Sequence, residues 1–117
     1  MASSNIDIIA DWFDHYNEVE FGNKLTVPHF GISRNSTEDG SYEYRASRGW
    51  RLMRCPSASK LWIGEHCFED DDHFHGTLLH EMIHAYQIEI MDRKPNHDAI
   101  FCSIARKLER KYSLEVK

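Results

Sequence analysis

Two histidines with a glutamate between them, His80-Glu81-Met82-Ile83-His84, and a further histidine thirteen residues on, His97, are the residues of this chain best suited to chemistry. On an α-helix, positions four apart lie about 40° apart in azimuth and one turn along the axis, so both imidazoles can reach one metal ion. Glu81, adjacent to the first of them, flanks that metal without having to bind it, which is where a general base for a metal-activated water must stand. Zinc in a catalytic site takes three protein ligands and keeps its fourth position for water, whose pKa falls to about 7. His80, His84 and His97 are therefore the candidate zinc ligands, Glu81 is the candidate catalytic base, and the chemistry they suit is hydrolysis.

These residues need elements to hold them. From His73 to Met91 the charged residues are Glu81 and Glu89, while Leu79, Met82, Ile83, Tyr86 and Ile90 recur at helical spacing, which predicts a mostly buried helix. Asp70-Asp71-Asp72 supplies its N-cap and complements its dipole; Arg93 and Lys94 suit the far end, and Pro95 stops it. A carboxylate and two imidazoles on such a helix are costly unless compensated, and a zinc ion compensates them. Downstream, Ile100, Phe101, Ile104, Leu108 and Tyr112 mark one face of a second amphipathic helix over His97 to Tyr112. Asn96 is its expected N-cap, which puts His97 in the first turn, where the helix dipole favours the neutral, metal-binding imidazole. Ser4 with Asp7, and Ile6, Ile9, Phe13 and Tyr16, predict an opening helix that Gly22-Asn23 ends. Between the helices, strand formers at Val27 to Ile32, Ser41 to Ala46, Gly49 to Met53 and Leu61 to Ile63 are separated by turn signals such as Asn35 to Gly40. The expected fold is α+β: an N-terminal helix, a small antiparallel sheet, the zinc-binding helix and a C-terminal helix, with residues 1–117 forming one domain.

The segment TLLHEMIHAYQ, a short spacer and HDAIF, from about Thr77 to Phe101, resembles the SprT-like metallopeptidase family. Ile8 to Leu25 is similar to that family's opening helix and its F-x-x-x-L exit, and Leu61 to Glu65 to the strand before its zinc helix. The resemblance implies a minimal zincin-like domain that binds zinc through His80, His84 and His97, with Glu81 as catalytic base. It also implies a protein substrate, with proteins crosslinked to DNA as one class. The chain departs from the family where Asp98 follows the third histidine in place of the usual glycine. Many relatives continue into a cysteine-rich zinc module, whereas this sequence ends at Lys117, so DNA targeting by such a module is not expected of it.

In zinc proteases a sheet edge beside the metal helix commonly holds the substrate by strand addition. Lys60 to Glu65 is the candidate here, which with Tyr86 makes Leu61, Trp62, Ile63 and Tyr86 the candidate substrate contacts. Peptide hydrolysis also needs a donor for the oxyanion; Tyr42, Tyr44, His73, His75 and Tyr86 are the candidates.

The net charge of −5 is unevenly spread. Residues 1–40 carry two bases against seven acids, whereas residues 41–62 carry five bases against Glu43. Arg45, Arg48, Arg51 and Arg54, interleaved with Tyr42, Tyr44 and Trp50, suit either a solvated strand-and-loop face or a surface for single- or double-stranded DNA, and the overall acidity opposes strong non-specific binding. The remaining histidines are expected to be structural or exposed, with His73 at the surface near the start of the zinc helix. Cys55, Cys67 and Cys102, an odd number without C-x-x-C spacing, read as small buried thiols in preference to metal ligands or a disulfide. No apolar run reaches the length of a membrane span, and the N-terminus lacks the basic start and apolar core of a signal peptide, so an intracellular protein is expected. At 117 residues with 41% apolar content, the chain can bury a core without a covalent staple. The rival to a zinc hydrolase of peptides is a non-catalytic, zinc-stabilised module that binds nucleic acid or a protein partner. Against that rival, a structural zinc site usually has four protein ligands and no need of Glu81.

Overall fold

The computed structural model describes residues 4–35, 37–44 and 59–116. Along the chain lie α1 (Asn5–Phe21), β1 (His29–Ser33), β2 (Gly40–Tyr44), β3 (Ser59–Gly64), a 3₁₀ turn (Glu65–Glu69), α2 (Asp71–Glu89) and α3 (Ala99–Tyr112). This is the α+β order expected, with one correction in the sheet. β3 lies in the middle, antiparallel to β2 but parallel to β1, so the sheet is mixed. The reason lies in side-chain burial. Leu61 and Ile63 are fully buried, which suits β3 to the central position, while the half-buried β1 and β2 take the edges. The expected strand Gly49 to Met53 lies outside the described residues.

α1 is capped by the Ser4 hydroxyl, which accepts from the Asp7 N–H at 3.2 Å. Its buried face is Ile9, Phe13, Tyr16, Asn17 and Phe21; Ile6, expected on that face, is exposed. The buried Asn17 amide donates to the Leu25 carbonyl and accepts from the Leu25 N–H, tying the chain that leaves the helix back onto it. Phe13 meets Phe30 of β1 with ring centroids 5.4 Å apart.

α2 runs through the centre. Leu78, Leu79, Met82 and Ile83 are fully buried, each contributing about 1.5–3 kcal/mol relative to exposure. Asp70 caps the helix by accepting from the Asp72 N–H. The helix ends at Glu89, earlier than Pro95 requires, and Ile90 is exposed. The buried Glu89 carboxylate accepts from the Thr26 N–H at 3.0 Å and from the Tyr42 hydroxyl at 2.8 Å, fastening α2 to the segment before β1 and to β2. At the other end, Gly76 lets the C-terminal segment cross the helix: a Cβ there would stand 2.0 Å from the Glu115 carbonyl oxygen.

α3 begins two residues later than expected. Asp98, rather than Asn96, is its N-cap, accepting from the Phe101 N–H at 3.0 Å, while Asn96 accepts from the Asp98 N–H to shape the preceding turn. His97 therefore sits just outside the helix, not in its first turn as expected. Among the described residues no helix is long and apolar enough to cross a membrane.

Candidate metal centre

His80 and His84 project from one face of α2, and the loop before α3 brings His97 to them. The three Nε2 atoms stand 3.1, 3.2 and 3.2 Å from one another. Three ligand atoms on a tetrahedral zinc with bonds of about 2.0–2.1 Å would be roughly 3.3 Å apart, so the triangle has the size that one such ion requires. Hydrogen bonding alone does not explain it, because an imidazole N–H can point to only one of two neighbours.

The orientation of His84 is held from behind. Gln87 is buried; its amide nitrogen donates to the Asn96 carbonyl at 2.9 Å, and its oxygen accepts from the Asn96 N–H at 3.2 Å. Those two backbone contacts fix which end of the amide is oxygen, and that oxygen lies 2.9 Å from His84 Nδ1. Nδ1 must then carry the proton, which leaves the Nε2 lone pair free for a metal. Beneath the three imidazoles lies Phe101, its ring centroid 5.0, 5.0 and 4.7 Å from those of His80, His84 and His97. Among the described residues, His80 Nδ1 is the buried side-chain polar atom left without a hydrogen-bond partner.

Electrostatics favour the metal-ready state. Burial, followed by repulsion from His84 and His97, pushes His80 down to about 4, and burial likewise lowers His84. Both are therefore neutral near pH 7, the form a metal needs. Glu81 is buried beside them, its Oε2 4.0 Å from His80 Nε2. Burial, and secondarily the charge of Glu38, push its carboxyl up to about 7. A carboxyl poised there can both take and return a proton near neutrality. Gly40, at the start of β2, makes room for it: a Cβ at Gly40 would stand 2.9 Å from Thr77 Cγ2 and 3.3 Å from Glu81 Cγ.

The other expected site residues lie elsewhere. β3 is paired along both edges, so a substrate strand cannot add to Lys60–Glu65. Leu61 and Ile63 are fully buried, and Trp62, alternating with them, faces the opposite side of the sheet. Tyr86 is two residues beyond His84, about 200° around the helix, and lines a cavity with Glu20, Phe21 and Ile104 instead. Tyr42 donates to Glu89, and His75 packs between Trp12 and Tyr16, so neither serves the oxyanion from these positions. Arg45, Arg48, Trp50, Arg51 and Arg54, with Cys55, lie outside the described residues; of the other two cysteines, Cys67 is buried as expected, whereas Cys102, on α3, is exposed. Gln87 and Phe101 are the site residues that pattern reading missed as such. The signal for Gln87 was its place three residues after His84, where helical neighbours meet.

The sequence profile described as the SprT-like family matches residues 9–117. No curated protein matches the chain significantly.

Proposed function

The chain belongs to the SprT-like family, and from that premise we propose that it is a zinc-dependent metalloendopeptidase in which His80, His84 and His97 hold the ion and Glu81 is the general base. The observation that carries this reading is the convergence of three Nε2 atoms within 3.2 Å beside a buried carboxylate. A zinc ion bound there supplies Lewis acidity towards water and the scissile carbonyl. Glu81 takes a proton from the attacking water and returns it to the leaving amine, a double role that suits a carboxyl raised towards neutrality. Gln87 and Phe101 keep the imidazoles converged, with Gln87 fixing the tautomer of His84.

The extended substrate, on this reading, lies along β2. It is the edge strand packed on α2, and Gly40 brings its backbone close to Glu81. Proteins bound or crosslinked to DNA are the substrate class we infer. The support for this is the family resemblance and the sequence cluster Arg45, Arg48, Trp50, Arg51 and Arg54.

The test is cleavage of a DNA-crosslinked protein, with and without single-stranded DNA, by zinc-loaded wild type and Glu81→Gln. The variant is expected to keep zinc and fold while losing cleavage by at least about 10²-fold. Wild-type rates in Glu81→Gln would sink the mechanism. Absence of cleavage by zinc-loaded wild type that still retains DNA would favour the binding module.

A further inference from the structure

A second set of metal-ligating atoms converges away from the histidine triangle. Asp39 comes from the turn before β2, His66 and Cys67 from the 3₁₀ turn after β3, and His73 from the first turn of α2. One ligand atom from each lies within 4.8 Å of all the others. His73 Nε2 is 3.2 Å from Asp39 Oδ2 and 3.7 Å from Cys67 Sγ, and Cys67 Sγ is 3.9 Å from Asp39 Oδ1. A tetrahedral ion with bonds of about 2.3 Å to sulfur and 2.0–2.2 Å to nitrogen and oxygen sets such separations at roughly 3.3–3.7 Å. Asp39 Oδ1 and His66 Nε2, 2.7 Å apart, are at hydrogen-bond length and would open by roughly 0.6 Å to meet the same ion.

We propose that Asp39, His66, Cys67 and His73 form a second metal site, a closed four-ligand centre for zinc or a zinc-like divalent ion. Two imidazoles, a thiolate and a carboxylate make a borderline-soft donor set that disfavours calcium and magnesium. Four protein ligands leave no position for water, so the centre is structural, in contrast to the three-ligand triangle of His80, His84 and His97. The residues are reachable by an ion: His73 and Asp39 line a cleft of about 730 Å³ between the start of α2 and the end of α3, and their side chains keep 37% and 47% of their exposure. Cys67 is buried, with Thr77 Oγ1 3.9 Å from its sulfur.

The position gives the ion a task. Asp39 immediately precedes Gly40, whose backbone closes on Thr77 and Glu81, and its carbonyl accepts from the Gly64 N–H at 2.6 Å. An ion on Asp39 and His73 would clamp the entry to β2 against the first turns of α2, holding the wall that buries Glu81. The proposal concerns residues distinct from the histidine triangle and stands whether or not the chain is a peptidase.

Cobalt(II) separates the two centres, because the triangle contains no sulfur. The protein to use is the full chain with Cys55→Ser and Cys102→Ser, which leaves Cys67 as its thiol. Loaded with cobalt, it is expected to bind two ions per chain and to show a thiolate-to-cobalt charge-transfer band in the near ultraviolet. Adding His84→Ala should remove one ion and leave the band; adding Cys67→Ser should remove the band. One ion per chain and no sulfur band in the folded Cys67-only protein would overturn the proposal, leaving Asp39 as a carboxylate hydrogen-bonded to two imidazoles. That readout precedes any variant of the site itself, so misfolding of Cys67→Ser cannot obscure it.

Discussion

Gln87 links His84 and His97, two of the proposed metal ligands, which are thirteen residues apart in sequence. One end of its amide holds the loop at Asn96, next to His97, and the same oxygen accepts the Nδ1 proton of His84. Removing such a partner from behind a ligating imidazole typically weakens metal affinity by about 10–100-fold. Gln87→Ala is therefore expected to lose zinc to a chromophoric chelator at correspondingly lower chelator concentration. Gln87→Glu, which keeps the acceptor for His84 but loses the donor to Asn96, should fall between. Wild-type affinity in Gln87→Ala would mean that Phe101 packing alone orients the ring. Asp98 has a comparable double role. It caps α3 and pairs with Arg93 at 2.5 Å, so the residue that follows His97 fixes the end of its loop.

At the scale of elements, the site depends on how closely β2 approaches α2. Gly40 permits that approach, since an added Cβ would meet Thr77 Cγ2 at 2.9 Å and the Trp62 carbonyl oxygen at 3.0 Å. Thr77 is buried in the helix and the Trp62 oxygen belongs to the central strand, so neither yields easily. Overpacking of this kind costs about 1–3 kcal/mol. Gly40→Ala should lower the denaturation midpoint by a corresponding amount and reduce cleavage as well, because the displaced strand is the one beside Glu81. An unchanged midpoint would show that β2 shifts freely and does not form a fixed wall. The helix itself was legible in the sequence because its apolar residues recur with helical period and its cap is local. The place of β3 was less so: three apolar-rich strands can be ordered in several ways, and only their packing under α1 and α2 puts the most buried one in the middle.

Across the whole molecule, α1 and α3 are stapled by Glu20, which accepts from the Tyr112 hydroxyl and from Lys111 Nζ at 2.6 Å. Burial would raise this carboxyl, but the hydrogen bonds from Lys111 and Tyr112, with the charges of Lys111 and Lys107, outweigh it and hold it below the ordinary carboxylate range. A depressed folded-state value means that the staple contributes fully above the ordinary carboxylate pKa and is lost as pH falls through the folded value. Glu20→Gln is expected to flatten the acid limb of thermal stability against pH while lowering stability at neutral pH. Parallel acid limbs for the two proteins would assign the acid sensitivity to other groups. By itself the sequence determined the three helices and pointed to His80, Glu81 and His84 as one candidate site, because helical period, capping and four-residue spacing act over distances shorter than one helix. Tertiary structure alone decided which strand is central, that Gln87 also holds the Asn96 loop, and that Asp39 meets His66, Cys67 and His73. Asp39 comes from a segment far from the other three, and nothing in local spacing encodes a meeting that only the packing of β2, the 3₁₀ turn and α2 brings about.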